Sequence, residues 1–581
     1  MGCVYFSKEA LTVEAPDGRN LLDVMRSAHL KPDAPCGGNG KCGKCKIRIT
    51  KRNDTVIENA EPVLACQTVV DGDMVVDTLL EESGKIEILE EGHGRKIILD
   101  PVVKQYSVNM RPCPQGESIS DWTRLVEAIR NCPEIDSDGK EYLPVPELCS
   151  KAGTSMKDGN GKVWVVLHEG EVLDVFPEKK RLCLAAFDIG TTTVVGYLLD
   201  AETGEQIAVS SQMNPQAQYG ADVINRSNYA IEHGYKEVTG CIRLAIDEMI
   251  RDMAVKASVS EKDIYAVSIA GNTCMHHLYL GISVDSLVHA PYNPAVEESM
   301  ILRCRDYGIH AHPNAKLYIL PNIAGFVGAD TVACLVASDL AEQEEWTLLI
   351  DIGTNGEMVL GKNHNMAACS TAAGPAFEGA KITHGMRGGA GAISRVRIEN
   401  ENIRYEVIGG GKARGICGSG LLDLAAELLK NGLMDEFGVL RDKRIILADR
   451  EQSDTGEPVT LEQKDISELQ LAKAAIASGI RLLSQKMGIA VEEIRHVWLA
   501  GAFGNFLSPE SACTIGLIPM ELSGRITGIG NAAGEGARRV LLERMAWYRA
   551  EKLARETGFL ELAGMPQFQD CFVDELSFPE E

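Results

Sequence analysis

From Val4 to Val13 (VYFSKEALTV) apolar and polar residues alternate, which predicts a β-hairpin. In Asn20 to Leu30 (NLLDVMRSAHL) the apolar residues fall at helical spacing, and Lys46 to Thr50 reads as a strand. Polarity rises around Glu91 to Lys96 (EGHGRK), where a first module ends. The next stretch predicts a helix at Trp122 to Asn131, turns at Pro112 and Pro114 and a strand at Val163 to Leu167, with no chemical motif. From Leu182 the pattern becomes apolar strand, small-residue turn, second strand (LCLAAFDIGTTTVVGYLLD), and it recurs from Thr347 (TLLIDIGTNGEMVLG). Later come a strand and turn at Val497 to Phe506 (VWLAGAFGNF), a Gly-rich turn before the helix LLDLAAELLK, and a helix in NAAGEGARRVLL. These changes divide the chain into residues 1–93, 94–180, 181–340 and 341–581, a multidomain α/β protein.

A length of 581 residues exceeds what one core supports. The net charge of −25 argues against a nucleic-acid partner, which needs a basic footprint. No apolar run approaches a membrane span and no apolar signal segment is visible at the start, so a cytoplasmic protein is expected. Most of the 17 cysteines are scattered singly, as buried thiols of a reducing compartment are.

Four cysteines are not scattered. Cys36, Cys42, Cys45 and Cys66 follow the spacing C-x5-C-x2-C…C. Plant-type [2Fe–2S] ferredoxins space theirs C-x4-C-x2-C…C, one residue shorter in the first gap. Hairpin, helix, cysteine loop and strand come in β-grasp order. Glycines 37, 38, 40 and 43 let the loop fold around a cluster and turn amides toward its sulfurs. A four-thiolate zinc site is the alternative, although zinc sites usually come as two short C-x2–4-C pairs.

The repeated turns, Asp188-Ile189-Gly190-Thr191-Thr192-Thr193 and Asp351-Ile352-Gly353-Thr354-Asn355-Gly356, offer backbone amides and hydroxyls to phosphate. The aspartate of each is suited to hold Mg²⁺ through water or to position an attacking water, so Asp188 and Asp351 are the candidate catalytic residues. The pair resembles the actin–hexokinase superfamily (the ASKHA fold), in which two related α/β lobes clamp ATP. That resemblance makes Gly501, Ala502, Phe503, Gly504 and Asn505 candidates for the adenosine side. The turn Gly415, Gly418, Ser419, Gly420 is a second candidate phosphate contact, its helix N-terminus presenting free amides. No Walker motif is present.

A low-potential electron carrier joined to an ATP clamp makes sense when the acceptor is harder to reduce than the donor. The chain also resembles the reductive activators of corrinoid enzymes, on the cysteine spacing, FDIGTTTVVGYL, NPQAQYGADVINR (Asn214 to Arg226), GNTCMHHLYLG (Gly271 to Gly281), LIDIGTNGEMVLG, AAGPAFEGAKITHGMRG (Ala372 to Gly388), GICGSGLLD and LAGAFGNF. The resemblance implies a [2Fe–2S] cluster on the four cysteines, ATP and Mg²⁺ on the two turns, a corrinoid protein in its Co(II) form as partner, an upstream low-potential electron donor and a homodimer. It also implies a ferredoxin module that moves relative to the ATP domain. The alternatives are activation of another low-potential enzyme, or a phosphotransferase whose cluster senses redox state. Glu378 and Lys381 are candidates for polar contacts near nucleotide or partner. His276 and His277, adjacent on a helix, are expected to point apart and to be structural, and Cys417 to be an inert buried thiol.

Overall fold

The computed structural model describes residues 1–28, 30, 32, 34, 37, 38, 40, 43–51, 61–79, 97–399 and 402–579. The N-terminal unit is a five-stranded sheet whose hairpin Gly2–Phe6/Leu11–Ala15 lies beside Met74–Asp77, Lys46–Lys51 and Val63–Leu64. Its helix, Leu21–Ser27, is shorter than the apolar pattern implies. Asn20 caps it by accepting a bond from the Leu22 amide at 3.0 Å, and Leu21, Leu22, Val24 and Met25 face the sheet. The connector is a three-stranded sheet, Lys104–Asn109, Lys162–His168 and Glu171–Phe176, with helices Asp121–Arg130 and Pro146–Asp158. It is fastened to the next unit by Asp174, which accepts from His312 Nε2 at 2.8 Å, and by His168 against the Tyr318 hydroxyl.

The remaining chain carries two six-stranded sheets that share a five-strand order and differ in the sixth strand, Met300–Arg303 beyond Lys316–Ile319 in the first and Gly558–Phe559 beside Asn365–Thr371 in the second. In the first, the antiparallel meander Cys183–Ile189, Thr193–Asp200, Gln206–Met213 is extended on its first strand by the parallel strands Ile264–Gly271 and Lys316–Ile319. In the second, Thr347–Ile352, Gly356–Lys362, Asn365–Thr371 form the meander, extended on the first strand by His496–Ala500 and Ile526–Gly528. The sequence repeat is therefore a repeat of sheet order. Helices Ala532–Leu542 and Arg544–Glu556 come after five strands of the second sheet in the chain but pack back over the first, with Ala329–Ser338. Small residues permit that approach: a Cβ on Gly536 would lie 1.9 Å from the Ala333 carbonyl. The shared core of these helices joins residues of both sheets, such as Leu184 and Tyr197 with Leu349 and Val359, into one cluster. No helix among the described residues is long and apolar enough to cross a membrane.

Candidate functional site: a cleft between two phosphate turns

Each Asp-x-Gly-Thr motif sits where an apolar strand ends and doubles back. Its aspartate is the penultimate strand residue, and the glycine and threonines form the tight turn. Because the sheets share a five-strand order, both turns open toward the cleft between them, of about 580 Å³, within the range of small-molecule sites. Asp188, Gly190, Thr191, Thr192 and Thr193 line it from one side, and Asp351, Gly353, Thr354 and Asn355 from the other. Gly418 and Ser419 enter at the start of the helix Gly418–Lys430, which begins inside the Gly-rich turn rather than after it. Gly501 and Phe503 also line the cleft, on the short helix Gly501–Phe506 that carries Ala502 and Asn505 too. Gly356, Gly415, Gly420 and Gly504 stand behind the lining, where each packs against neighbouring chain.

Gly501 is tied to Asp351. Its φ is +78°, and a Cβ would meet Asp351 Oδ1 at 2.6 Å, so the aspartate lies directly against the backbone that starts the helix. Phe503 stacks on Phe377 with ring centroids 4.9 Å apart, a flat apolar wall beside the polar turns.

Two carboxylates that the motifs did not single out join the lining. Asp330 opens the helix Ala329–Ser338, and Glu357 lies opposite Asp351 in the hairpin register. Burial raises Asp188 to about 7, helped by the charges of Asp330 and Asp351, while a hydrogen bond from Asn531 opposes it. Burial and Asp351 raise Asp330 to about 7. Burial raises Asp351 to about 6, and Glu357 is pushed well above its ordinary range by burial and both aspartates. A concentration of negative charge this costly is suited to a cation. No three metal-ligating side chains among the described residues converge closely enough to bind a bare ion. The set instead fits Mg²⁺ that keeps its waters and arrives with phosphate oxygens.

The two cleft turns are linked through Glu378, and the first is linked through intervening residues to the N-terminal unit. Asn272 Nδ2 donates to Thr191 Oγ1 at 2.9 Å. Glu378 accepts from Thr192 Oγ1 at 2.6 Å and from Thr354 Oγ1 at 2.5 Å, so one carboxylate spans both lobes. Behind the first turn, Asn214 donates its amide to Thr192 O and Nδ2 to Gly190 O, both at 2.8 Å. The fully buried Arg226 reaches Thr191 O and Gly220 O. Between these anchors runs the 3-10 turn Pro215–Tyr219. On its far side Arg26 of the N-terminal helix donates to Gln218 O and lies 5.2 and 5.3 Å from the ring centroids of Tyr219 and Tyr229. Arg26 also donates to Gly37 O at 3.1 Å, inside the cysteine loop. A Cβ on Gly37 would lie 2.9 Å from Tyr219 O.

Of the four cysteines, Cys45 is buried and Cys66 half-buried. The Ala65 amide donates to Cys45 O at 2.8 Å, which holds the two cysteines on facing segments. Cys36 and Cys42 lie outside the described residues. Gly37, Gly38, Gly40 and Gly43 all have positive φ, a backbone conformation that glycine takes without a Cβ penalty. These features fit a cluster held by Cys45 and Cys66 with the loop cysteines.

Residues 345–581 match the C-terminal ASKHA domain of RACo, 183–343 the RACo middle region, 92–181 the RACo linker region and 4–71 the 2Fe-2S iron-sulfur cluster binding domain. A corrinoid activation enzyme, RamQ, of Eubacterium limosum is 33% identical over 580 residues, spanning 95% of each chain. The chain belongs to the RACo family. A reductase of the Co(II) methylated-amine-specific corrinoid protein, from Methanosarcina barkeri, is 26% identical over 68% of this chain and 76% of its own. The solved structure of a reductive activator for corrinoid, iron–sulfur protein covers 100% of this chain and 99% of its own, with a TM-score of 0.76 and 31% identity. The ASKHA match agrees with the duplicated sheet order, and the ferredoxin match with the β-grasp unit.

His276 and His277 do not point apart. Their Nδ1 atoms face each other at 3.2 Å within the buried helix Thr273–Leu280. His277 Nε2 accepts from the Ala295 amide at 2.9 Å, which leaves its Nδ1 protonated to donate to His276. Burial lowers the pair to about 3 and about 4, so both are neutral packing residues. Cys417 is buried at the cleft wall, where its thiol donates to Ile393 O at 3.3 Å.

Proposed function

We propose that this chain is an ATP-dependent reductive activator, which passes one electron from its ferredoxin unit to a corrinoid protein and so returns inactive Co(II) to Co(I). The observation that carries the reading is the unbroken line of contacts from the phosphate turn to the cysteine loop. It runs from Thr192 and Gly190 through Asn214, the turn Pro215–Tyr219 and Arg26 to Gly37. A nucleotide and a redox centre in one chain need such a connection if one is to govern the other.

The [2Fe–2S] cluster supplies a one-electron carrier of low potential, near −400 mV in plant-type proteins. The chain's own residues do the rest. Cys45 and Cys66, with Cys36 and Cys42, hold the cluster. The glycine-rich loop brings amides to it and shares Gly37 with the docking contact. The Gly190–Thr193 and Gly353–Asn355 turns bind the phosphates, while Asp188, Asp330, Asp351 and Glu357 orient hydrated Mg²⁺ and the attacking water. In the docked arrangement the cysteine loop rests on Tyr219, so delivery of the electron requires the ferredoxin unit to leave that seat. A tenfold bias on such an equilibrium corresponds, for one electron, to about 59 mV. The functional unit is a homodimer in the cytoplasm, fed by a separate low-potential donor.

The test is optical and anaerobic. The reduced protein is mixed with a Co(II) corrinoid protein, with and without Mg-ATP, and the Co(I) band is followed. Formation that requires ATP, and that Cys45→Ala abolishes while ATP hydrolysis persists, is the expected result. A cluster that reduces normally and ATP that is hydrolysed, with no Co(I) from any corrinoid protein tried, sinks the assignment of the acceptor.

A further inference from the structure

The segment Ala372 to Gly388 has no role in the reading above, yet it delivers Glu378 to the centre of the cleft. Glu378 sits on the turn formed where Glu378 N and Ala380 N both donate to Pro375 O, at 3.1 Å. Its two oxygens are taken by hydroxyls from opposite lobes, Thr192 at 2.6 Å and Thr354 at 2.5 Å. These are the hydroxyls of the two phosphate turns. A carboxylate offers two anionic oxygens about as far apart as two oxygens of a phosphoryl group, so it satisfies the same pair of donors.

We propose that Glu378 is the placeholder of the terminal phosphate: it bridges Thr192 and Thr354 when the cleft holds no nucleotide, and ATP binds by displacing it. Two like charges cannot share one pair of hydroxyl donors, so occupancy by phosphate and by Glu378 is mutually exclusive. ADP, one phosphate shorter, leaves the bridge in place, and the residue therefore sets the response to ATP as distinct from ADP. Displacement also moves a built part of the wall. Phe377, the neighbour of Glu378, stacks on Phe503, and its carbonyl would lie 2.2 Å from a Cβ on Gly418. Expulsion of the carboxylate thus shifts the seam where the adenosine-side helix and the Gly418 helix meet. The same event frees Thr192, whose carbonyl holds Asn214 at the start of the line to the ferredoxin unit.

The inference rests on the reading of this cleft as an ATP site, and the experiment separates the two. Calorimetric titration of the whole protein uses the β,γ-imido analogue of ATP with Mg²⁺, and Mg-ADP in parallel. Glu378→Gln removes the competing charge and keeps the shape, and Glu378→Asp keeps the charge on an arm too short to span both threonines. Both are expected to bind the ATP analogue about tenfold or more tightly than wild type while ADP affinity changes less than threefold. Thermal unfolding of each variant checks that it is folded. Tighter binding of the analogue alone supports the placeholder. Unchanged binding of both nucleotides, or weaker binding of the analogue in both variants, overturns it, because Glu378 would then be a bystander or a direct ligand of the bound state. Failure of wild type to bind either nucleotide removes the ATP reading itself.

Discussion

Arg26→Ala is expected to release the ferredoxin unit from its seat, and the size of the effect follows from what crosses the boundary. Arg26 is 7% exposed. Its bonds to Asp23 at 3.1 Å and to Gly37 O at 3.1 Å lie within its own unit and survive undocking. The bond to Gln218 O and the two tyrosine faces do not survive. A hydrogen bond from a charged donor contributes about 1.5–3 kcal/mol. Each cation–π contact adds about 0.5–1 kcal/mol when partly wet. Rehydration of the released guanidinium offsets part of the total, leaving roughly 2–3 kcal/mol, or about 30- to 150-fold in the ratio of docked to undocked forms. Hydrogen exchange measured by mass spectrometry reads this directly. In the nucleotide-free protein, amides of residues 214–222 should exchange faster in Arg26→Ala by about that factor. Tyr229→Leu removes one of the two cation–π contacts and should act in the same direction but more weakly, by about two- to fivefold, and adding it to Arg26→Ala should change little, since its partner is already gone. Arg26→Lys keeps the charge but not the fork and should fall between. Faster exchange confined to residues 21–28, with 214–222 unmoved, would mean that Arg26 only braces its own helix, and the docking account would be wrong.

Asp330→Asn should reduce ATP hydrolysis by about a hundredfold, read as phosphate release under saturating Mg-ATP, because it removes a carboxylate beside Asp188 and Asp351. The same variant carries a pH signature. Asp330 is held at about 7, above its unfolded value of 3.8, so the fold keeps a proton that the unfolded chain has released. That contribution is fully present below the unfolded value and is lost as pH rises through about 7. Melting of the nucleotide-free proteins should therefore show the variant gaining on wild type from pH 5 upward, with the widest gap at pH 8; a gap that closes with rising pH contradicts the assignment. Gly501→Ala should weaken binding of the ATP analogue at least tenfold, since a methyl at φ +78° would displace Asp351 Oδ1 from 2.6 Å. Unchanged affinity in a titration would show that Asp351 does not need that position. Asn214→Ala should leave ATP binding within threefold, yet abolish any nucleotide-dependent change in exchange at residues 214–222, because it removes the Nδ2 bond to Gly190 O and the Oδ1 that accepts from the Gln216 amide.

What could be read along the chain shares one property: the residues that matter are close in sequence. The cysteine loop, the two Asp-x-Gly-Thr turns and the strand-to-helix turn at Gly501 each put their chemistry within a few positions, where spacing and backbone preference are visible. The repeat of the two turns even announced two related lobes. Backbone register and long-range packing supplied the rest. Glu357 stands across from Asp351 because of hairpin register, and Asp330 reaches the same cleft from a helix that no phosphate motif marks. The helices Ala532–Leu542 and Arg544–Glu556 cover the first sheet although they lie between strands of the second in the chain, because apolar faces are buried wherever they fit. His276 and His277 meet rather than diverge: the Ala295 amide, 18 positions away, fixes the tautomer of His277, whose Nδ1 then faces His276 Nδ1. Glu378 joins Thr192 to Thr354, and Arg26 joins the cysteine loop to Tyr219, across separations of 186 and 192 positions in the longest bond of each. A hydrogen bond extends about 3 Å in space and leaves no trace in sequence spacing, so these links exist only once the chain has folded.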